Sequence, residues 1–189
     1  MGSRGRRPIH RFSTRTVGVI DFGAIGRRVS EKAAALGADV LASDPFLEED
    51  DLADAEAELA DFEELTRESD YVTVHSPLTD ETRGMFDRDV FERMKSDAYL
   101  VNVARGPIVD DEALLAALDA GELGGACLDV FPDEPPEPDD PLRTHEDVIT
   151  TPHVAWYSEE VNAERRRSAA EAVRATLAGE RPEHVVNDL

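Results

Sequence analysis

The run Thr16-Val17-Gly18-Val19-Ile20-Asp21-Phe22-Gly23-Ala24-Ile25-Gly26 changes period in its middle. Its first half, Thr16–Asp21, is β-branched and apolar, as a buried strand requires. Ala24–Leu36 then takes helical spacing, with Ile25, Val29 and Leu36 toward one side. Gly23 and Gly26 lie between them, at the last two glycine positions of G-x-G-x-x-G. Gly23 would let backbone approach a pyrophosphate, and Gly26 would let helix and strand pack closely. The helix N-terminus then presents free N–H groups and a positive dipole end to an anion. Asp21 stands at the first glycine position. Aspartate tolerates the left-handed backbone such a turn needs, but its charge opposes a pyrophosphate, so weakened affinity is expected.

Strand and helix signals alternate outward from this turn. Asp39–Ser43 reads as the next strand and ends at Asp44, about twenty residues after the glycines. A carboxylate there can accept from the ribose hydroxyls and would repel a 2′-phosphate. No arginine follows in Pro45–Leu47, which favours NAD over NADP. Helical Phe62–Glu68 precedes strand Tyr71–His75, and helical Asp87–Met94 precedes strand Ala98–Val103. Asp110 or Asp111 can cap a helix through Leu118 that Gly121 stops. Strand Gly125–Val130, an acidic Pro-rich loop from Pro132 to Pro141, strand Val148–Thr150 and a helix over Ser158–Leu177 complete the chain. This order predicts an α/β fold, a doubly wound, Rossmann-type parallel sheet covered on both faces. The expected divisions are a basic leader or linker over 1–15, a nucleotide-binding domain over 16–156, and a helix and tail over 157–189.

The bulk numbers narrow the function classes. The 189 residues carry 42 acids against 20 bases, a net charge of −22, and only two of the bases are lysines, Lys32 and Lys95. Such a surface repels phosphate backbones, so direct nucleic-acid binding is not expected. Acid excess with lysine scarcity fits adaptation to high salt, and also fits an ordinary acidic cytoplasmic protein. The clustered Arg4, Arg6, Arg7, Arg11 and Arg15 read as an exposed leader or as a polyanion-binding arm. No run is apolar and long enough to span a membrane, and no apolar stretch follows the basic start as in a secretory signal. The single Cys127 cannot form an internal disulfide, which points to a reducing, cytoplasmic setting. His75 and His153 lack a local ligand pattern, so no metal site is expected.

Three segments end strand-like runs and supply chemistry: Asn102–Gly106, Asp129–Pro135 and Thr151–Trp156. The forked guanidinium of Arg105 can hold a planar carboxylate in two hydrogen bonds. His153, on the turn after Pro152, can take or return a hydroxyl proton. Glu134, if hydrogen-bonded to His153, would raise its pKa and fix its tautomer. Taken singly, each has a structural alternative: a surface arginine, a structural histidine, a solvated loop acid. Asp129 ends a buried strand, a costly place for an unpaired carboxylate. A nicotinamide carboxamide and a backbone N–H are its two candidate partners. His75, ahead of Ser76-Pro77-Leu78, is expected to wall the adenosine side.

On these segments the chain resembles the cofactor-binding part of the D-isomer-specific 2-hydroxyacid dehydrogenases. The matching pieces are T-V-G-V-I-D-F-G-A-I-G, S-D-P-F, H-S-P-L-T-D-E-T, N-V-A-R-G-P-I-V-D, G-G-A-C-L-D-V-F-P-D-E-P and T-P-H-V-A-W-Y-S-E-E. The last is most similar to the branch containing the C-terminal-binding-protein corepressors. The resemblance implies that Arg105, Glu134 and His153 are the catalytic trio. It implies NAD contacts from Phe22, Gly23, Ala24, Ile25, Gly26, Asp44, Ser76, Pro77, Thr82, Val103, Ala104, Arg105, Asp129, His153 and Trp156. It also implies a second, substrate-binding domain ahead of the Gly-rich strand, where only fifteen residues precede Thr16 here. The expectation is therefore a truncated enzyme whose C-terminal helix normally packs on the missing domain. That leaves an apolar helix face exposed and favours a homodimer.

Two functions follow as expectations. One is an NAD-dependent oxidoreductase of D-2-hydroxy acids, or of 2-oxo acids in reverse, with a separately encoded substrate domain as a possible partner. The other is an inert NAD-binding or dimerisation module.

Overall fold

The computed structural model describes residues 9–53, 55–183 and 185, which fall into two compact units, one through Pro152 and one from His153. The first unit holds seven parallel strands: β1 (Thr16–Ile20), β2 (Asp39–Ser43), β3 (Glu58–Leu59), β4 (Tyr71–Val74), β5 (Tyr99–Asn102), β6 (Gly125–Leu128) and β7 (Val148–Thr150). Their order across the sheet is β3-β2-β1-β4-β5-β6-β7. The connecting helices are α1 (Ala24–Ala35), α2 (Phe62–Glu68), α3 (Arg88–Arg93), α4 (Asp111–Ala120) and α5 (Pro141–Thr144). The second unit is built on α6 (Glu159–Leu177). The sheet is of the Rossmann type. β3 and α5 are too short for the periodic pattern to show them.

The direction of the crossovers decides which face each helix covers. From β1 the chain steps out to β2 and β3, then returns to pair β4 with the other side of β1. Right-handed connections therefore put α1 on one face and α2 through α5 on the other. One apolar cluster joins Val17, Val19, Val40 and Ala42 to Phe22 and Ala33 of the α1 side. The larger cluster joins Ile20, Val72, Val74, Leu100 and Leu128 to Leu65, Phe91 and Leu114 of the other helices. Coverage of both faces does not extend to the outer strands. Within this unit Val101 and Cys127 are half-buried and Ile149 of edge strand β7 is 67% exposed, because every crossover from β4 to β7 turns to the same face. Burial raises the pKa of the Cys127 thiol, so it is not held as a reactive thiolate.

α1 turns differently from its sequence pattern. Ile25 and Leu36 are 66% and 67% exposed, and the buried positions are Gly26, Ser30 and Ala33. Close approach decides this. A Cβ on Gly26 would overlap the Asp21 carbonyl and come within 3.1 Å of Val19 Cγ1. Small residues fill the part of α1 nearest the sheet, Val29 packs on the cluster from its margin, and Ile25 and Leu36 turn outward.

The N-terminal stretch also contributes to the sheet unit. Phe12 packs on Tyr71 with centroids 5.9 Å apart. Arg15 donates to the buried Asp70 at 2.7 Å, and Asp70 also accepts from the Thr16 N–H at 2.8 Å. Arg15 is thus no exposed leader residue. Arg4, Arg6 and Arg7 lie outside the described residues.

Asp110 caps α4 by accepting from the Ala113 N–H, and Asp111 follows it. Burial, then the Asp140 and Asp110 charges, raise the Asp111 pKa from 3.8 to about 6. A raised folded-state pKa favours the protonated form, so its stabilising contribution is complete below 3.8 and is lost as pH rises through about 6. Asp111→Asn is therefore expected to stabilise the chain at pH 7 by about 1 kcal/mol, after discounting for solvent screening at this half-exposed site. Thermal melting at pH 7 and near pH 4 checks this: the gain should vanish at the lower pH.

Candidate active site

All seven strands point the same way, so their carboxyl ends share one edge of the sheet. The chain reverses its outward direction between β1 and β4, and ligands bind open α/β sheets at such a switch point. Asp21 follows β1 there with φ 70°, in the left-handed region. Its Oδ1 accepts from the Gly23 N–H at 3.1 Å. Asp44, after β2, accepts from the Phe22 N–H at 3.0 Å and from the Phe46 N–H at 2.9 Å. Before any ribose arrives, Asp44 is the clamp that ties the Gly-rich turn to the end of β2. His75 follows β4, with Nε2 3.1 Å from the Thr73 hydroxyl. Burial lowers its pKa, and the Asp21 carboxylate partly opposes that.

The turn fits a dinucleotide on a feature of the helix ends. Each of α2 through α6 has a side-chain cap, from Asp61, Asp87, Asp110, Asp140 and Ser158. α1 has none, and no acidic residue in its first turn. The first-turn amides of Ala24, Ile25 and Gly26 therefore have no side-chain acceptor, and a pyrophosphate oxygen could supply one. Buried Ser76 and exposed Pro77 open the loop after β4. Thr82 closes it, donating to the Pro77 carbonyl at 2.7 Å and accepting from the Thr79 N–H at 2.8 Å.

Arg105 leaves β5 through half-buried Val103 and buried Ala104. Asn102, 1% exposed, clasps that turn: its amide donates to the Arg105 carbonyl at 3.0 Å and its Oδ1 accepts from the Ala104 N–H at 3.1 Å. Asn102 and Gly106 are the positioning residues that sequence reading passed over. A polar residue closing an apolar strand was the available signal for the first. The exposed Arg105 guanidinium donates to the Ala104 carbonyl at 2.6 Å. After β6, Glu134 is exposed and its Oε1 accepts from the Phe131 N–H at 3.1 Å. The two loops meet at Gly106, where a Cβ would overlap the Phe131 carbonyl carbon and the Pro132 nitrogen. Asp129, 4% exposed, takes a short hydrogen bond from the Thr151 hydroxyl of the next loop, a partner the sequence did not indicate.

His153 opens the second unit, three residues beyond β7, half-buried with φ 54°. A histidine in the left-handed region needs its backbone held. Trp156 supplies the hold, its Nε1 donating to the His153 carbonyl at 2.8 Å. The Arg165 guanidinium lies 4.7 Å over the Trp156 ring. Trp156 itself is 44% exposed. On α6, Val161, Val173 and Leu177 are exposed at 37%, 60% and 84%. No helix among the described residues is long and apolar enough to cross a membrane.

Residues 2–155 match the model of the D-isomer specific 2-hydroxyacid dehydrogenase NAD binding domain. The chain is 45% identical over 141 residues to D-3-phosphoglycerate dehydrogenase of Archaeoglobus fulgidus, covering 75% of this chain and 27% of that one. It is 41% identical over 173 residues to glyoxylate reductase of Korarchaeum cryptofilum, covering 92% and 52%. Its fold superposes on D-lactate dehydrogenase with NAD+ from Lactobacillus jensenii at a TM-score of 0.87 and 31% identity, covering 95% and 57%. The enzyme from Aquifex aeolicus complexed with NAD and lactic acid gives 0.84 at 32%, covering 95% and 58%. The chain thus spans between a quarter and about three fifths of these relatives. On these matches, and with the Gly-rich turn and strand order already described, the chain belongs to the D-isomer-specific 2-hydroxyacid dehydrogenases, as their NAD-binding domain.

Proposed function

We propose that this chain is the cofactor-binding half of an NAD-dependent oxidoreductase acting on a small D-2-hydroxy acid, or on the 2-oxo acid in reverse. One observation carries the reading. The Arg105 and Glu134 loops leave neighbouring strands at the edge that also bears the Gly-rich turn, and they are packed together at Gly106. Arg105 pairs with the substrate carboxylate and polarises the carbonyl that forms. His153 takes the hydroxyl proton in oxidation and returns it in reduction. Glu134 steadies the imidazolium, and Asp129 orients the carboxamide end of the cofactor. NAD, when bound, supplies the hydride acceptor at nicotinamide C4.

The second reading, an inert NAD-binding or dimerisation module, is supported by the exposed Val173 and Leu177 of α6, which suit another protein surface. A homodimer, a separately encoded substrate domain and a cytoplasmic, high-salt setting belong to the same proposal, supported by that surface and by the −22 charge. The corepressor-like branch rests on Thr151–Glu160 alone.

NADH fluorescence titration and turnover of 2-oxo acids test both readings. Binding with turnover, alone or with a substrate domain added in trans, is the expected result. Binding without turnover in either case would leave the inert module. No binding at millimolar NADH in high salt would sink both.

A further inference from the structure

Asp21 places a fixed negative charge at the mouth of the proposed dinucleotide site. Its carbonyl lies against Gly26 and its Oδ1 holds the Gly23 N–H at 3.1 Å, so both backbone and side chain are tied at the N-terminus of α1. An amide that could face a phosphate oxygen is already occupied by a carboxylate of this chain. Nearby cations do not offset that charge. Arg27 donates to the Asp51 carbonyl at 3.0 Å and lies 4.9 Å over the Phe22 ring, and Arg28 pairs with Glu31 at 3.6 Å. Among the described residues Asp21 has no ion-pair partner. The Asp21 charge acts to raise the His75 pKa, but burial is the larger effect and favours the neutral imidazole.

We propose that Asp21 is an internal anion competing with the cofactor pyrophosphate at the Gly-rich turn, so that NAD affinity rises with ionic strength. The inference rests on the dinucleotide reading and assigns the turn a salt-dependent cofactor affinity. A carboxylate and a pyrophosphate a few ångströms apart repel strongly at low salt. The Debye length falls from about 10 Å at 0.1 M to about 3 Å at 1 M, which removes most of that repulsion.

The test titrates NADH, by its fluorescence, into wild type, Asp21→Asn, Asp21→Gly and Glu31→Gln at about 0.1 M and about 1 M KCl. Asparagine keeps the acceptor for the Gly23 N–H and the tolerance of left-handed backbone while removing the charge. Glu31→Gln removes an equal charge from the body of α1. At low salt both Asp21 variants should bind at least about tenfold tighter than wild type, with Glu31→Gln within about twofold. At high salt the advantage should shrink to about twofold. Equal binding by all four, an equal gain in Glu31→Gln, or a gain that persists in high salt overturns the assignment alone. No NADH binding by any folded variant in high salt overturns the dinucleotide reading, and the assignment with it.

Discussion

Gly106→Ala should lower the stability of the chain by about 3 kcal/mol, roughly 6–12 °C in melting temperature at this length. The added methyl has nowhere to go. It would overlap the carbonyl carbon of Phe131 and the nitrogen of Pro132, which are backbone atoms and cannot rotate aside as a side-chain end can. Nor can the turn retreat, because Asn102 clasps it on one side and β5 pairs with β6 on the other. The substitution must therefore part the loop that carries Arg105 from the loop that carries Glu134. Thermal melting measures the stability loss, and turnover should fall further than the folded fraction does. A variant that melts within about 2 °C of wild type would show that the two loops are not held together here.

His153→Ala should lower kcat/KM for 2-oxo acid reduction by ~10²–10⁴-fold, the usual contribution of a positioned general acid or base. The measurement uses the chain with a substrate domain supplied in trans if the chain alone does not turn over. Removing a proton carrier acts on the chemical step, so NADH affinity should change much less than kcat. A loss of less than about fivefold would remove His153 from the proton-transfer role. Trp156→Phe gives a useful comparison, since it removes the indole donor to the His153 carbonyl and keeps most of the ring. A smaller loss in kcat is expected there, because the imidazole remains but its backbone is less constrained.

Much of the fold was legible because its signals are local. The period change after Ile20, the cap at Asp110 or Asp111 (which falls to Asp110) and the stop at Gly121 each depend on neighbours within a few residues. The inward face of α1 was not legible. Hydrophobicity favoured Ile25, Val29 and Leu36, but the contact of Gly26 with the Asp21 carbonyl leaves the fully buried places beside it to Ser30 and Ala33, with Val29 packed at the margin. The outer strands show the same limit. Alternating strands and helices suggest a sheet covered twice, but the exposure of Ile149 follows from which way successive crossovers turn.

The candidate site divides along the same line. By itself the sequence determined the residue types and their places: a guanidinium, a carboxylate and an imidazole, each just beyond an apolar strand, and an aspartate in a glycine's position. Only the tertiary structure decided what holds them. It paired Asp129 with the Thr151 hydroxyl, made Asp44 a clamp on the Phe22 N–H, and locked the Arg105 and Glu134 loops at Gly106. It also turned the Asp21 carboxylate onto the Gly23 N–H. Composition and period report the preferences of a residue and its near neighbours. Several of these contacts join segments more than twenty residues apart, and they exist only once parallel pairing has brought the strand ends to one edge.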